Sequence, residues 1–262
     1  MTLTVEPADE LSLVSDAGDL TASVAAVVAE LGEVRPCRGV LTSTLPIGAG
    51  LSSSAAVHVV LALALGDLEG LDLARAAQRA EHRALGVPSG ILDQAACVLG
   101  RDGHAVLLDF ETLAFEHVPL PDGLAIVVVD SGVARRNAET GYAARSRELE
   151  EGLPSRLRHI ESENRRVLAV VEAMRAGDRE ALGVLFREGH DSLRDDFEVT
   201  TPELDRLVEL AYASGAVAAR MTGGGFGGAI VALIDAERAN AFAEQMPGRS
   251  WVTRASAGAR EL

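Results

Sequence analysis

Lysine is absent from this sequence of 262 residues, because all 24 of its basic side chains are arginine. A Walker-type phosphate loop places a lysine on the transferred phosphate, and eukaryotic-type protein kinases carry one on a strand. Schiff-base and pyridoxal enzymes need a lysine amine as nucleophile. The sequence therefore excludes these classes of protein, and a GC-rich genome is the simplest origin of its arginine-only composition.

Basic residues are fewer than acidic ones. Asp and Glu number 39, the formal net charge is −15, and aromatic residues make up only 3% of the chain. Such a chain repels a polyphosphate backbone, and it has no basic, aromatic-rich stripe to offset the repulsion. Anionic membrane surfaces repel it for the same reason. We expect neither nucleic acid nor a membrane as a partner.

Cysteine and long apolar runs are also rare. Cys37 and Cys97 lack the spacing of a zinc site or a disulfide framework, which is typical of a reducing compartment. The opening MTLTVEPADE has no basic segment followed by an apolar run, so no signal peptide is expected. The longest apolar stretch, 55–65, is too short to cross a bilayer of about 30 Å. These features predict a cytoplasmic protein.

Strand and helix patterns alternate irregularly along the chain, which predicts an α+β fold. Hydrophobic residues make up 48% of the chain, which is enough for a sizeable core. Helical patterns cover 22–31, 55–65, 71–86, 89–100, 138–151, 155–176, 178–190, 202–214 and 236–246. Strand patterns cover 2–7, 38–45, 104–109, 124–130 and 250–254, with two more on either side of a glycine loop near 225. A domain boundary is predicted near 130–136.

The segment PIGAGLSSSA joins a strand to the start of an apolar helix. Its glycines allow close backbone approach, and the helix start offers unpaired N–H groups and a positive dipole end to phosphate oxygens. Its serine hydroxyls suit Mg²⁺ or a phosphate. An ordinary helix cap is the alternative interpretation, since serine is a preferred N-cap residue. The residues concerned are Pro46, Gly48, Ala49, Gly50, Leu51, Ser52, Ser53 and Ser54.

Two carboxylates flank a Gly86–Pro88 break between predicted helices. Glu81 and Asp93 are twelve residues apart, and a helix–turn–helix can aim both into one cleft. One could hold Mg²⁺ while the other handles a substrate proton. Alternatively, Glu81 lies on a solvated face and Asp93 caps a helix or pairs with an arginine.

A third motif, GGGFGG at 223–228, separates two apolar strands. Such dense glycine indicates close backbone approach or a phosphate-binding turn, although hairpins collect glycine too. The six histidines form no metal-ligand pair with a second His or Cys. We interpret His159 and His190 as structural, and His82, beside Glu81, as the histidine nearest to the candidate chemistry.

Taken together, these segments resemble the GHMP small-molecule kinases and, among them, the galactokinases. PIGAGLSSSAA is similar to the family's nucleotide-binding signature, and AEHRALGVPSGILDQ to the stretch with its magnesium-binding Glu and catalytic Asp. RHIESENRRVLAVVEAMRAGD, HDSLRDDFEVTTPELDRLVELA and RMTGGGFGGAIVALI match further phrases in the family's order. The resemblance extends from about Gly18 to the C-terminus.

The resemblance implies an ATP-dependent kinase that phosphorylates galactose, or a related hexose, at O1. Gly48–Ser54 and Pro46 would bind the ATP phosphates, Gly223, Gly224 and Gly225 would brace them, and Ser54 and Glu81 would ligate Mg²⁺. Asp93 would be the catalytic carboxylate, and Tyr142 would contact the sugar.

The fold implied is an S5-like α/β domain at 1–132, with the family's first strands missing, followed by a ferredoxin-like α+β domain at 133–262. The expected partners are ATP and a small sugar, and the expected state is a monomer.

This chain also departs from the family pattern. The family's opening phrase GRVNLIGEHTDYN is absent, as is a helical insertion between Glu151 and Arg158. His58 replaces a common glutamate, and Ser89 a frequent cysteine. The missing phrase carries most sugar contacts, so a nucleotide-binding protein without catalysis is the alternative function. A mis-called start codon would restore the phrase upstream.

Overall fold

The computed structural model describes residues 1–16, 18–45, 51–86, 89–133 and 138–261. They form two compact units. The first contains the described parts of Met1–Ile47, Ser52–Asp102 and Ser256–Leu262, and the second contains those of Gly48–Leu51 and Gly103–Ala255. The mixture of helices and strands in both units confirms the predicted α+β class.

The first unit has a three-stranded sheet. Its strands are β1 (Thr2–Pro7), β2 (Ser12–Ser15) and β3 (Cys37–Thr42), in the order β1-β3-β2. The central strand β3 runs antiparallel to β1, with Thr42 opposite Thr2, and parallel to β2. Alternating side chains of β3 are buried, because Cys37 and Leu41 face the core.

The described residues of the first unit also form the helices α1 (Thr21–Leu31), α2 (Ser53–Leu65), α3 (Gly70–Leu85) and α4 (Leu92–Leu99). The inner face of α3 carries Leu73 and several fully buried alanines, which allow close helix packing. Gly86 ends α3 in the left-handed conformation, with φ +71°, and its N–H donates to the carbonyl of His82. This stop sets the turn that leads to α4.

The second unit is built on a four-stranded antiparallel sheet. It comprises β6 (Leu124–Asp130), β7 (Ala218–Thr222), β8 (Ala229–Asp235) and β9 (Ser250–Thr253), in the order β7-β8-β6-β9. The two central strands, β6 and β8, pair along their full length and are almost continuously apolar. A separate hairpin joins β4 (His104–Leu108) to β5 (Phe115–Pro119).

Helices of the second unit are α5 (Ala138–Glu150), α6 (Pro154–Ala176), α7 (Arg179–Asp195), α8 (Pro202–Ala213) and α9 (Ala239–Gln245). Asp178 caps α7 by accepting from the N–H of Ala181, and Thr201 caps α8 by accepting from that of Leu204. Apolar residues of α8 and α9 pack with the sheet in one cluster, in which Leu204 and Ile230 are fully buried. Ala173 of α6 and Leu182 of α7 pack in another cluster with Leu233 of β8.

Arginine ion pairs connect α5 and α6 to the segment that follows α7. The Arg156 guanidinium is only 3% exposed, and its Nε donates to Glu148 Oε2 at 2.7 Å. The same guanidinium contacts Glu198 at 3.1 Å and the backbone carbonyl of Asp196. Arg145 binds Glu148 and Glu198 from the other side. The planar guanidinium reaches several acceptors at once.

Several sequence expectations differ from the structure in detail. The helix expected at 89–100 begins only at Leu92, with Ile91 at its N-cap, so Ser89 does not cap it. The helix expected at 236–246 is a 3₁₀ turn, Ala236–Arg238, followed by α9. The short strands β2 and β5 were not predicted, although β4 and β9, which are equally short, were. A segment of four or five residues gives only a weak periodic signal.

The two compact units divide the chain at Asp102, whereas the predicted domain boundary lies at 132/133. Strands β4 to β6 belong to the second unit, because β6 pairs with β8 and β9. The boundary at 132/133 concerns the implied family domains and stays a prediction.

No single helix among the described residues is long and apolar enough to span a membrane. Taken as a pair bent by 119°, Ser53–Leu65 and Gly70–Leu85 do pass the test of length and composition.

Candidate active site

The first candidate element is the start of α2. Pro46, Gly48, Ala49 and Gly50 lie outside the described residues, whereas Leu51 and the three serines lie within them. Ser52 occupies the N-cap with φ +53° and ψ +40°, and its side chain makes no capping hydrogen bond. Ser52 therefore stands at the N-cap position without acting as a side-chain cap. Ser53 and Ser54 form the first turn, at the positive end of the helix dipole.

His58 supports this first turn from within the helix. It is buried, and its Nδ1 lies 2.8 Å from the backbone oxygen of Ser54, which makes Nδ1 the donor. Its Nε2 is buried and has no hydrogen-bond partner among the residues that the structure describes. His58 is thus a buried polar residue that is hydrogen-bonded to the backbone of Ser54, a predicted magnesium ligand.

The carboxylate pair lies on two packed helices. Glu81, near the end of α3, is 7% exposed, so the interpretation that it lies on a solvated face is wrong. Its Oε2 accepts a hydrogen bond from Nε2 of Gln94 on α4. Asp93, the residue before Gln94, is exposed in the first turn of α4. Within the described parts of the chain, Asp93 forms no ion pair with an arginine.

Both carboxylates affect the pKa of the same thiol, that of Cys97. The pKa of its thiol is raised first by burial, then by the negative charge of Asp93, and then by that of Glu81. A negative charge disfavours a neighbouring thiolate, and this effect falls off with distance. Glu81 and Asp93 therefore both lie within electrostatic reach of the Cys97 thiol.

The glycine loop connects β7 to β8, where the sequence places it. Gly223 and Gly224 are exposed, whereas Gly225 is buried and has φ +81°. A Cβ on Gly225 would lie 2.2 Å from the carbonyl oxygen of Val199, so only glycine fits there. The N–H of Phe226 donates to that same oxygen at 2.7 Å.

Phe226 itself has φ +58°, an unfavourable conformation for a residue with a side chain. Its ring packs against Gly141 of α5, where an added Cβ would lie 2.6 Å from the ring. Tyr142, the predicted sugar contact, follows Gly141 in α5, and its side chain lies outside the described residues.

The histidines near these elements bind protein groups. His82 Nε2 accepts from the N–H of Ser89 at 2.8 Å and so fixes the turn between α3 and α4. His190 Nδ1 accepts from the N–H of Met221, while its Nε2 contacts Asp205 at 3.1 Å. Burial lowers the pKa of His190, and Asp205 partly opposes this effect. The structural interpretation of His190 agrees with these contacts.

The residues present fit a magnesium ion in donor chemistry. In the described part of the chain, no three or more His, Cys, Asp or Glu side chains form a group that could hold a metal. Mg²⁺ does not require such a cage, because it is bound by one or two carboxylates together with substrate phosphates and water. Glu81 is a buried carboxylate with a neutral amide as its hydrogen-bond partner, which suits a cation.

Sequence reasoning missed Gln94 and the support that His58 gives to Ser54. Both are buried polar residues within apolar helices, and buried polar groups need partners. His58 stands out in the run AAVHVVLALAL, but Gln94 sits beside Asp93 in a pattern that an ordinary amphipathic helix also produces.

Family models match both parts of the chain. The model for the GHMP kinases N terminal domain matches residues 19–101, and that for the GHMP kinases C terminal matches residues 170–252. The chain therefore belongs to the GHMP kinase family of ATP-dependent small-molecule kinases.

Within that family its curated relatives include galactokinases. The galactokinase of Streptomyces coelicolor is 39% identical, over 85% of this chain and 70% of the relative, and that of Thermococcus kodakarensis is 38% identical, over 78% and 66%.

Solved structures agree with this assignment. Lactococcus lactis galactokinase complexed with galactose superimposes with a TM-score of 0.88 at 28% identity, covering 99% of this chain and 86% of the other. L. major mevalonate kinase in complex with R-mevalonate gives a TM-score of 0.70 at 20% identity, covering 98% and 86%, and so shows the shared fold.

Proposed function

We propose that this chain is a sugar kinase of galactokinase type, which transfers the γ-phosphoryl group of ATP to O1 of galactose or a related hexose. Its relationship to galactokinases supports the choice of substrate, and its family supports ATP as the donor. We expect it to act as a monomer on ATP and a small sugar.

One observation carries the proposal. A buried carboxylate and an exposed carboxylate lie on two adjoining helices, and a hydrogen bond joins the two helices. Glu81 is buried on α3, Asp93 is exposed on α4, and Gln94 links the two helices. Phosphoryl transfer needs a metal ligand and a group that orients the attacking hydroxyl, and it needs little other chemistry from the protein. Two carboxylates in different environments can take these two roles.

In the proposed reaction, the anomeric hydroxyl oxygen forms a bond to the γ-phosphorus of ATP. The bond from this phosphorus to the β,γ-bridging oxygen breaks, and ADP leaves with the electron pair. Asp93 orients the hydroxyl and accepts its proton, which makes Asp93 the proposed catalytic residue. Tyr142 is the proposed contact to the sugar.

The phosphates would be bound mainly by backbone. The helix start at Ser53, with no side-chain cap from Ser52, offers N–H groups to phosphate oxygens without a lysine. Pro46, Gly48–Leu51 and the exposed Gly223 and Gly224 are the other proposed nucleotide contacts. Ser54 and Glu81 are the proposed ligands of Mg²⁺, which when bound would neutralise charge on the β- and γ-phosphates.

A coupled assay of ADP release, with galactose and a panel of other hexoses, tests the function directly. We expect ADP formation that depends on galactose or one related hexose. If no sugar supports ADP release while ATP still binds, the chain is instead a nucleotide-binding protein without catalysis. If calorimetry detects neither ATP nor sugar, both functions are wrong.

Replacement of Asp93 by Asn tests the catalytic assignment. The change keeps the size of the side chain and removes the proton acceptor, so we expect turnover to fall by about a hundredfold or more. Binding of a non-hydrolysable ATP analogue, measured by calorimetry, is expected to change little. The matched control is Asp72→Asn, because Asp72 is an exposed carboxylate on α3. Loss of nucleotide binding in Asp93→Asn would contradict the assignment.

A further inference from the structure

Gln94 is a deeply buried polar side chain at the candidate site. It is 1% exposed, and it lies in α4 directly after Asp93. Its Nε2 donates to Oε2 of Glu81, so one side chain connects the helix that carries Asp93 to the carboxylate on α3. Removal of this amide would free the Glu81 side chain and loosen the contact between the two helices.

The orientation of the amide follows from its partner. A carboxylate accepts hydrogen bonds, so the amide nitrogen of Gln94 must face Glu81 and its oxygen must point elsewhere. That oxygen, Oε1, is buried and has no hydrogen-bond partner among the described residues. A buried acceptor without a donor is unfavourable, so its presence calls for an explanation.

A bound cation would explain both the hydrogen bond from Nε2 of Gln94 to Glu81 and the Oε1 that has no partner among the described residues. Carboxylates that ligate metals are usually held by a hydrogen bond from behind, and Mg²⁺ keeps several of its waters when it binds. The amide N–H would hold Glu81 in position, and Oε1 would accept from water in the hydration shell of the ion. Both functions need an amide, whereas a purely structural contact to Glu81 would leave Oε1 unexplained.

We propose that Gln94 is a positioning residue for the magnesium site, which holds Glu81 as a ligand through its N–H and accepts from the ion's hydration water through Oε1. The proposal rests on the kinase function proposed above. It assigns to Gln94 a role in metal affinity, distinct from the role of its neighbour Asp93 in turnover.

The test measures metal binding without turnover. Mn²⁺, a paramagnetic substitute for Mg²⁺, is titrated into the full chain with a non-hydrolysable ATP analogue, and free Mn²⁺ is followed by electron paramagnetic resonance. Gln94→Met keeps the length of the side chain and removes both hydrogen-bonding groups. We expect the Mn²⁺ dissociation constant to rise about 10- to 100-fold, with binding of the metal-free analogue unchanged.

Two further variants make the result decisive. Gln78→Met is the control, because Gln78 also lies on α3 and donates its amide N–H, but to the backbone oxygen of Ser89. Its Mn²⁺ affinity should stay within twofold of the parent chain. Gln94→Asn keeps the amide but shortens its reach, so it should also weaken binding, and it replaces Gln94→Met if that variant does not fold.

The outcomes separate the two proposals. If the parent chain binds Mn²⁺ with the analogue and the folded Gln94 variants bind it equally well, the role of Gln94 is wrong while the kinase function stands. If the parent chain binds no Mn²⁺ with the analogue, the magnesium site is wrong, and the role of Gln94 is wrong with it.

Discussion

Gly225 shows how one backbone position fixes the glycine loop. Its φ of +81° is unfavourable for a residue with a side chain, and the carbonyl oxygen of Val199 fills the space that a Cβ would need. Gly177, at the end of α6, also has a positive φ, of +65°, but no atom lies within 4 Å of a Cβ added there. At Gly177 a side chain would face only an unfavourable backbone conformation, whereas at Gly225 it would also clash with Val199.

We therefore predict different costs for alanine at these glycines. Gly177→Ala should lower the free energy of unfolding by about 1 kcal/mol, because only the left-handed conformation is penalised. Gly225→Ala should lower it by roughly 3 kcal/mol, because the clash with Val199 adds to that penalty. Urea unfolding of both variants measures the difference, and equal losses would contradict the steric part of the argument.

At the scale of residues, the sequence predicts candidate site residues but not the hydrogen bonds that hold them. Chemistry and resemblance point to Glu81 and Asp93, and both carboxylates raise the pKa of the Cys97 thiol. Gln94 was not recognised, because its hydrogen bond to Glu81 joins two helices and so depends on packing. The contact of His58 lies within one helix, four residues after Ser54, and that spacing was available in the sequence.

At the scale of elements, α5 is fixed to the glycine loop by a contact that depends on size. The ring of Phe226 occupies the space beside Gly141, and Phe226 keeps its positive φ because its N–H is bound to Val199. Strained conformations persist where the surroundings over-determine them. This contact and the ion pairs of Arg145 both hold α5, and with it the backbone of Tyr142.

A double-mutant cycle tests the contact. Gly141→Ala should destabilise the chain by about 1–3 kcal/mol, because its new methyl group meets the Phe226 ring. Phe226→Leu should restore part of that loss, since the smaller side chain makes room, giving a coupling of at least about 0.5 kcal/mol. Hydrogen exchange along 143–150 should rise in Gly141→Ala and fall again in the double variant.

The matched control is Gly183→Ala, whose Cβ would meet the backbone oxygen of Val217 instead of Phe226. Its effect should add to that of Phe226→Leu without rescue. Additive effects of Gly141→Ala and Phe226→Leu would show that the ring and the helix are independent.

The long elements were predictable from sequence, whereas the short ones were predicted only in part. The helices α6 and α8 and the strand β6 have strong periodicity or β-branched runs, and the structure has them close to the predicted bounds. The start of α4 was predicted three residues early, because Ser89 looks like a cap but is held by His82. A tertiary contact outweighed a local preference there.

At the scale of the whole molecule, two buried histidines make stability depend on pH. Burial lowers the pKa of His159 and of His190 below the ordinary value of 6.5. Below pH 6.5 the unfolded chain binds protons at these residues that the folded chain does not, so stability falls with falling pH. Above that value neither state is protonated there, and the full contribution is present.

We predict that the free energy of unfolding falls as the pH decreases from 7.5 to 5.5. This range lies above the ordinary carboxyl pKa values of 3.8 and 4.5, so the histidines dominate it. Urea unfolding at intervals across the range measures the slope, which should be smaller in His190→Gln. Constant or rising stability towards pH 5.5 would contradict the prediction.

Arginine ion pairs join α5 and α6 to the segment after α7. They also affect where a protease can cleave this protein. Trypsin cleaves after lysine or arginine, so every tryptic site of this chain is an arginine. The guanidinium of Arg156 is enclosed by its carboxylate partners, whereas that of Arg206 on α8 is 76% exposed. Cleavage after Arg156 requires local opening, since a protease needs an unfolded segment. The order in which tryptic fragments appear would therefore report the order in which this network opens.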